Sequence, residues 1–293
     1  MATKKTAKAA KATDSEHAMG FEVTMGHVDL CVLGHSPLLV NCFSQKAIHQ
    51  ITQPRGTLTK TQKKSEMKHN PREEFRSSVY RDYSTDGPTR IQGLSVWFKK
   101  GIASMALDIE SATSKAQLGR CVFVEGERVA IYGTPKVDVR MVRMADASRT
   151  PDVRFRAIIP EWACKIRIAY MMPTLTKNDI LKLAAAAGMF RGVGENRPEK
   201  GSGAFGQYEF CEPTDPRYLA VMKQGRATQD AILQAETLQP EHFYDHEGHD
   251  LYEWWLGEAE RREQAGASAE VIETNGGGLD TDEDTEAALA VLN

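Results

Sequence analysis

The order in which strand-like and helix-like hydrophobic patterns follow one another constrains the fold of this chain most. Residues 28–33 are apolar apart from a single charge, which is typical of a buried strand. Residues 94–112 place apolar side chains at helical offsets and predict the first helix. Two strand-like runs follow on either side of a Glu-Gly-Glu turn, at 121–124 and 129–132. The first half therefore predicts a strand, a helix and a strand pair.

The second half of the chain also contains both helix-like and strand-like hydrophobic patterns. A second helix is predicted at 177–187, where Thr176 is a plausible N-cap and Asp179 completes a capping box. Another helix is predicted from residue 215 to about 238, opened by an Asp-Pro pair. Strand patterns are found at residues 137–144, 153–159, 165–170 and 208–211.

This order of elements predicts an α+β protein. With right-handed crossovers it gives an antiparallel sheet with two helices on one face, the ferredoxin-like βαββαβ core that RNA-recognition modules also use. We expect this core at residues 21–212, interrupted by a long, polar, basic insertion at 52–90. A C-terminal helical extension is expected at 213–257.

Charge is distributed unevenly along the chain, although the formal net charge is only −3. Residues 258–293 carry ten acidic and two basic side chains, whereas residues 55–100 carry eleven basic and five acidic ones. Residues 1–20 contain four lysines and two acidic residues. We predict a disordered basic leader at 1–20 and a disordered acidic tail at 258–293 that competes with phosphate for a basic body.

Several classes of protein are disfavoured by the composition. No apolar stretch approaches the roughly 18–20 residues that a membrane span needs, and the N-terminal residues lack the apolar segment of a secretory signal. The five cysteines are far apart in sequence and form no CxxC pair. The sequence therefore predicts a cytoplasmic protein with buried, reduced thiols and neither a disulfide framework nor a zinc ribbon.

A glycine-rich basic loop at residues 188–206 connects the second predicted helix to the last predicted strand. Glycine lets backbone amides approach a phosphate, basic side chains supply charge, and flanking phenylalanines offer a stacking face. The glycines follow a helix and precede a strand, the reverse of the Walker and dinucleotide fingerprints, so an enzymatic nucleotide site is not predicted. The candidate nucleic-acid-binding residues are Phe190, Arg191, Gly192, Gly194, Arg197, Lys200, Gly201, Gly203, Phe205 and Gly206.

In this loop and in its predicted topology, the chain resembles the RAMP superfamily, the ferredoxin-like RNA-binding subunits of CRISPR complexes. The resemblance covers roughly residues 28–210. It implies RNA contacts by the arginines, the lysine and the glycines of the loop, and side-by-side assembly of subunits along the strand. Residues 196–200 depart from the nearly continuous glycine run of that family. The chain is also similar to small accessory proteins of bacteriophage genomes.

Further candidate nucleic-acid contacts lie outside the loop. A basic arm at 60–81 carries seven lysines and arginines, with Phe75 and Tyr80 interleaved. The spacing of two between arginines on a predicted strand places both on one sheet face, which suits nucleic acid or a surface neutralised by the acidic tail. The candidate residues here are Lys63, Lys64, Lys99, Lys100, Arg154 and Arg156.

Catalytic and metal-binding residues are not predicted. His27 and His35 lie near the first strand and leave open a metal-independent ribonuclease. The cluster that most resembles a metal site comprises His242, His246 and His249, but no HExxH motif occurs there and Gly248 interrupts the helical spacing. No metal or other cofactor is therefore expected.

The leading hypothesis is a non-catalytic protein that binds single-stranded nucleic acid through backbone phosphates and aromatic stacking. RNA and DNA both fit, because both present phosphates and stackable bases. We expect a homo-oligomer along the strand, and a tail that screens the binding surface or docks a partner protein. The alternatives are a protein–protein assembly or inhibitory module and a metal-independent endoribonuclease.

Overall fold

A computed structural model of the protein describes residues 23–42, 69–107, 114–143, 151–200 and 203–275. The strands within these ranges are β1 (Thr24–Gly34), β2 (Leu38–Val40), β3 (Tyr80–Arg81), β4 (Ile91–Leu94), β5 (Val122–Val124), β6 (Arg128–Ala130), β7 (Lys136–Arg143), β8 (Pro151–Ile159), β9 (Ala163–Met172) and β10 (Tyr208–Cys211). The α-helices are α1 (Pro71–Ser77), α2 (Ser95–Ser104), α3 (Lys115–Cys121), α4 (Lys177–Phe190), α5 (Pro216–Met222), α6 (Arg226–Leu233) and α7 (His246–Asn275). The predicted α+β class is confirmed, and the strands of each sheet pair antiparallel.

Four strands form the central antiparallel sheet, in the order β10-β1-β9-β5. The ladder between β1 and β9 extends from Thr24↔Met172 to Leu33↔Ala163. Because side chains alternate between the two faces of a strand, every second residue of β1 enters the main hydrophobic core. Helices α2 and α4 pack against each other and bury their apolar side chains in that core.

The opposite face of this sheet is covered by α5 at one end and is exposed at Met25, His27 and Asp29. Cys31 and Leu33 of β1 pack there against Tyr218 and Val221 in a second, smaller hydrophobic cluster. Burial raises the pKa of the Cys211 thiol to about 11, which keeps this group protonated at neutral pH. The central sheet therefore has helices on both faces, whereas the sequence predicts them on one.

Two three-stranded sheets are built from the chain between the central strands, in the orders β2-β8-β7 and β3-β4-β6. The predicted pairing of 137–144 with 153–159 is confirmed by the β7–β8 ladder. The predicted pairing of 121–124 with 129–132 is wrong, since β5 pairs with β9 and β6 with β4. The cause is the turn at Gly126, where φ is +80°, which sends the chain from one sheet into another.

The predicted insertion at 52–90 is only partly separate from the folded body. More than half of it, from His69 onward, is part of the described structure and contains α1 and β3, and Phe75 of α1 is fully buried. The Asn70 side chain caps α1 by accepting a hydrogen bond from the backbone N–H of Glu73. Residues 69–90 therefore pack against the folded body, with Pro71 and Phe75 of α1 buried at helical spacing. Lys63 and Lys64 lie outside the described residues.

The helices after β10 also differ from the prediction. Helices α5 and α6 replace the single helix predicted at 215–238, because the chain turns at Gly225. Helix α7 continues through residues 258–275, which the sequence assigns to a disordered tail. Glu258 stabilises this part by pairing with Arg261 at 2.7 Å and Arg262 at 2.8 Å, three and four residues ahead on the helix. The predicted leader and residues 276–293 lie outside the described ranges.

Helix α4, which leads into the glycine-rich loop, begins where the sequence predicts. The Thr176–Asp179 capping box is present. The hydroxyl and the backbone N–H of Thr176 both donate hydrogen bonds to the Asp179 carboxylate and lower the pKa of that carboxyl. The helix continues past Gly188 to Phe190. Gly188 allows close packing against β10, since a Cβ there would collide with the Tyr208 carbonyl oxygen. Across all described helices, none has both the length and the apolar character needed to cross a membrane.

Gln229 of α6 is a buried polar side chain that holds the small β3-β4-β6 sheet to the C-terminal helices. Its Oε1 accepts hydrogen bonds from the backbone N–H groups of Arg90 at 2.8 Å and Ile91 at 2.9 Å. Its Nε2 donates to the carbonyls of Ile131 at 2.8 Å and Gly133 at 3.0 Å. One amide therefore satisfies two backbone donors and two backbone acceptors.

Replacing this amide is expected to destabilise the protein. Gln229→Leu leaves four buried backbone groups unpaired and should lower the free energy of unfolding by roughly 3 kcal/mol or more. Urea denaturation followed by circular dichroism measures this loss. Gln234→Leu, at the exposed C-cap of the same helix, is the matched control and should stay within about 0.5 kcal/mol of wild type. Equal midpoints for the two variants would contradict the structural role of Gln229.

Candidate nucleic-acid interface

Backbone hydrogen bonds hold the glycine-rich loop in a defined conformation. The N–H of Gly192 donates to the Ala187 carbonyl at 3.0 Å and closes α4. The N–H of Val193 donates to the Gly206 carbonyl at 2.9 Å, which joins the two limbs of the loop. The N–H of Gly206 donates to the Pro37 carbonyl at 2.8 Å, beyond the end of β1. The loop is therefore folded against the body of the protein.

Three of the predicted loop glycines adopt left-handed backbone conformations. Their φ angles are +63° at Gly192, +78° at Gly194 and +71° at Gly206, a region that favours glycine. A Cβ at Gly206 would collide with the carbonyl of Val193, and one at Gly194 with the carbonyl of Leu39. These glycines thus allow close approach of backbone to backbone within the protein, whereas the sequence predicts close approach of the loop to a phosphate.

The loop crosses the β2-β8-β7 sheet. The N–H of Glu195 donates to the Leu39 carbonyl of β2 at 2.9 Å, so the outgoing limb lies beside this edge strand. On the returning limb, the centroid of the Phe205 ring is 4.6 Å from the guanidinium carbon of Arg140 on β7, at the opposite edge. Phe205 and Arg140 therefore form a cation–π pair between the loop and the sheet.

The sheet beneath the loop presents three arginines on one face, which we call the arginine face: Arg140, Arg154 and Arg156. The β7–β8 register places Arg140 opposite Arg154, and Arg156 opposite Asp138. Side chains two residues apart on a strand share a face, so all three guanidinium groups project from the same side. The structure thereby brings the predicted Arg154 and Arg156 to the predicted loop.

Two carboxylates position the outer arginines of this face. The Nε of Arg140 donates to both carboxylate oxygens of Asp138, at 2.9 and 2.8 Å, and this pairing raises the pKa of Arg140. Asp138 itself is fully buried. The Nε of Arg154 is 3.3 Å from an oxygen of Asp152, whose other oxygen is 3.0 Å from Nε2 of His69. The guanidinium groups are thus held in place before any ligand arrives.

Arg156 differs from its neighbours because it is only 6% exposed. Its Nε and Nη2 atoms are buried, and neither has a hydrogen-bond partner among the described residues. Burial lowers the pKa of this guanidinium, while the negative charges of Asp138 and Glu195 oppose that shift. A cation buried with unpaired donors is costly, and nearby charge compensates it only in part.

The arginines of the loop itself make internal contacts. Arg197 donates to Oε2 of Glu199 from Nε at 2.9 Å and from Nη2 at 2.7 Å, and from Nη1 to the Gly194 carbonyl at 2.8 Å. Arg191 donates to the Ser104 carbonyl of α2 at 3.3 Å. Both side chains therefore brace the loop. Lys200 lies in a short 3₁₀ turn after Arg197, and Gly201 lies outside the described residues.

The remaining predicted contacts lie on the helical layer. The ammonium of Lys99 is 4.3 Å from the centroid of the Phe123 ring, and Lys100 beside it is exposed. Phe190, the last residue of α4, is 66% exposed and offers a free aromatic face. Gly101 of α2 lies against Arg191, so Lys100 and Phe190 belong to the surface where α2 meets the end of α4.

Asp138, Arg140 and Glu195 were not among the predicted site residues. The sequence signal for two of them is the spacing of two that repeats on paired strands, Asp-x-Arg in β7 and Asp-x-Arg-x-Arg in β8. Aligning those runs in the register of a hairpin places opposite charges side by side. Glu195 has no comparable signal, because its position depends on how the loop folds.

The histidines considered for catalysis are not brought together. His27 and His35 are separated by eight residues on an extended chain, which corresponds to roughly 26 Å. His27 lies 2.8 Å from Glu125 on the exposed side of the central sheet. His249 of α7 packs against Phe243, which precedes that helix. Across the described ranges, no group of three or more His, Cys, Asp or Glu residues is arranged to hold a metal ion.

Comparisons with known proteins give little. No protein-family model matches the chain, and no curated protein matches its sequence. Among solved structures, one chain of the cryo-EM structure of the type III-B Cmr-beta bound to cognate target RNA is similar, with a TM-score of 0.35 and 12% identity. The match covers 64% of this chain and 59% of that chain. A likeness of this size does not establish a function, which must come from the contacts within the chain.

The left-handed glycines make a testable contribution to the loop. Gly206→Ala introduces a side chain at φ +71° against the Val193 carbonyl and should destabilise the protein by at least about 1 kcal/mol. Gly257→Ala is the control, since this glycine lies inside α7 with no atom within 4 Å of an added Cβ. It should stabilise the protein by about 0.5–1 kcal/mol. Urea denaturation of both variants measures these changes in the free energy of unfolding. An unchanged free energy of unfolding for Gly206→Ala would contradict the conformation of the loop.

Proposed function

We propose that the protein is a non-catalytic single-stranded nucleic-acid-binding protein that uses the glycine-rich loop together with the arginine face. The observation that carries this proposal is the convergence of Arg140, Arg154 and Arg156 under the loop, with donors of Arg156 unpaired among the described residues. Guanidinium groups match the geometry of phosphate oxygens and form bidentate hydrogen bonds with them. A polymer of phosphates is therefore the ligand that this surface fits best.

The aromatic residues favour a single strand over a duplex. Phe190 is 66% exposed at the start of the loop, and Phe205 near its end is partly buried against Arg140. Stacking requires bases that are not already stacked in a duplex, and it is tolerant of sequence. The proposed contact therefore reads the backbone and the ring faces of bases, with little base specificity. It fits RNA and DNA alike.

The path of the central sheet supports a ferredoxin-like assignment. The chain runs through β1, α2, β5, β9, α4 and β10, and the sheet order is β10-β1-β9-β5 with antiparallel neighbours. This is the order that two split βαβ units generate when each takes one strand of the other between its own two strands. We assign the three-stranded sheets and α7 as additions to that unit. The loop then occupies the connection between the second helix and the last strand.

A protein–protein interaction module is the second candidate function. Several large apolar side chains are strongly exposed in the described part of the chain, among them Met141 at 79%, Phe190 at 66% and Trp254 at 63%. Exposed apolar groups of this kind occur at surfaces that contact other proteins, including further copies of the same chain. This candidate predicts capture of a protein partner without any affinity for nucleic acid. Assembly of copies along a strand would combine the two functions.

The direct test is fluorescence anisotropy with labelled single-stranded RNA, single-stranded DNA and duplex DNA across a range of salt concentrations. Arg154→Gln should weaken binding of the single strand by roughly tenfold, because it removes a charge-assisted contact. The salt slope should fall by about 0.7, the contribution of one phosphate on a single strand. Arg154 is suitable because it is 42% exposed, so its replacement spares the core.

Arg261→Gln is the control for loss of one positive charge. This residue is 68% exposed on α7. It lies thirteen residues beyond Gly248, the position at which α7 contacts Val139 of β7, and thirteen helical residues span roughly 20 Å along the axis. It should leave affinity and salt slope unchanged. Equal weakening by both variants would show that only net charge matters and would move the contact away from the arginine face. Absence of binding at low salt would discard the proposal and favour the protein–protein candidate.

The acidic segment after α7 is proposed to compete with nucleic acid. Residues 276–293 contain five acidic and no basic side chains, so their deletion removes a source of repulsion and of competition for the arginine face. Truncation after Asn275 should raise affinity for single strands, most strongly at low salt, and the same titration measures it. Unchanged affinity would rule out competition and leave docking of a partner protein as the role of this segment.

A further inference from the structure

The buried Arg156 side chain is energetically unfavourable for the folded protein. The side chain is 6% exposed, and its Nε and Nη2 have no hydrogen-bond partner in the described part of the chain. A buried ion pair or cation is often less stable than an apolar side chain of similar size, and unpaired donors add to this cost. An acceptor supplied by a bound ligand would offset this cost.

We infer that Arg156 is the ligand of a single phosphate group, which enters the arginine face beside Arg154 and displaces the charge of Glu195. The inference rests on the proposed function and deepens it by naming the residue that takes the phosphate. A phosphate presents several acceptor oxygens, enough to satisfy the guanidinium donors that have no partner. The shared chemistry is a phosphate monoester or diester, whether free or part of a polymer.

The neighbouring carboxylates do not substitute for such an acceptor. Asp138 lies opposite Arg156 in the β7–β8 register, but both of its oxygens accept from the Nε of Arg140. Glu195 acts on Arg156 through its charge, and no hydrogen bond between these two side chains is present. Arg156 thus lies among charges of both signs, and within the described residues no acceptor reaches its Nε and Nη2.

The route of entry follows from the exposure of the three arginines. Arg154 is 42% and Arg140 33% exposed, and they face each other across β7 and β8, whereas Arg156 is two residues further along β8 and buried. A phosphate that binds between Arg140 and Arg154 is therefore only two residues along β8 from Arg156. Glu195 is exposed on the loop limb at β2 and can move away without breaking the core.

The test uses thermal unfolding of the full chain in sodium phosphate and in sodium chloride at matched ionic strength. Wild type should gain melting temperature with phosphate concentration, because a ligand that binds only the folded state stabilises it. Arg156→Met should melt about 2–4 °C higher than wild type in chloride, since it replaces an unpaired cation by an apolar chain. The same variant should show no gain from phosphate and should bind single-stranded oligonucleotide at least about tenfold more weakly.

Glu195→Gln provides a second, independent variant in case Arg156→Met fails to fold. It keeps the shape of the side chain, removes the competing charge, and should tighten phosphate binding roughly 2–5-fold. Arg261→Met is the control for loss of charge and should respond to phosphate like wild type. Phosphate stabilisation that persists in Arg156→Met, or that is unchanged in Glu195→Gln, would overturn the inference.

The two proposals fail in different ways. If single strands bind and Arg154→Gln weakens them, but Arg156→Met binds as wild type does, then the arginine face is the interface and Arg156 is not its phosphate ligand. If inorganic phosphate stabilises wild type through Arg156 while no oligonucleotide binds, then the site takes a free phosphate or mononucleotide and the proposed function is wrong. If neither ligand has an effect, both proposals fall.

Discussion

The chain crosses twice between the central sheet and the β2-β8-β7 sheet, from β1 to β2 and from β8 to β9. Trp162 lies at this crossing and stabilises it. Its indole is fully buried, and its Nε1 donates to the Ser36 carbonyl at 2.9 Å. Gly34 lies directly against this ring, where any Cβ would collide with it, and the N–H of Gly34 donates to the Trp162 carbonyl at 2.8 Å. The end of β1 and the start of β9 are thereby joined, so β2 and β8 extend from this crossing as neighbours.

The position of the glycine-rich loop depends on that crossing. The carbonyls that receive its hydrogen bonds belong to Pro37 and Leu39, the residues that follow Gly34 into β2. The sheet that carries the arginine face begins at the same point, since β2 pairs with β8 from Leu38 onward. Loop and arginines, far apart in sequence, are therefore brought together by the packing around one buried tryptophan. A change at Gly34 would displace both at once.

The sequence predicted elements that depend on local chemistry and missed those that depend on distant contacts. The capping box at Thr176 and the strand Tyr208–Cys211 were identified because propensity and periodicity act over a few residues. The partner of β6 was missed because the turn at Gly126 leads into a different sheet, which only tertiary packing decides. The burial of Arg156 was missed for a similar reason, since a charged residue that alternates with apolar ones on a strand is typical of an exposed face.

The charge of the arginine face is balanced, and this shapes what it can bind. Its three guanidinium groups are accompanied by Asp138, Asp152 and Glu195, so the formal charge of the cluster is close to zero. Long-range attraction, which accelerates the encounter with a polyanion, is consequently weak at this face. The carboxylates hold Arg140 and Arg154 in fixed positions, so little side-chain entropy remains to be lost when a ligand binds. Affinity would then come from short hydrogen bonds to correctly placed oxygens. Such bonds distinguish a phosphate in the right geometry from an acidic peptide, which presents negative charge without that geometry.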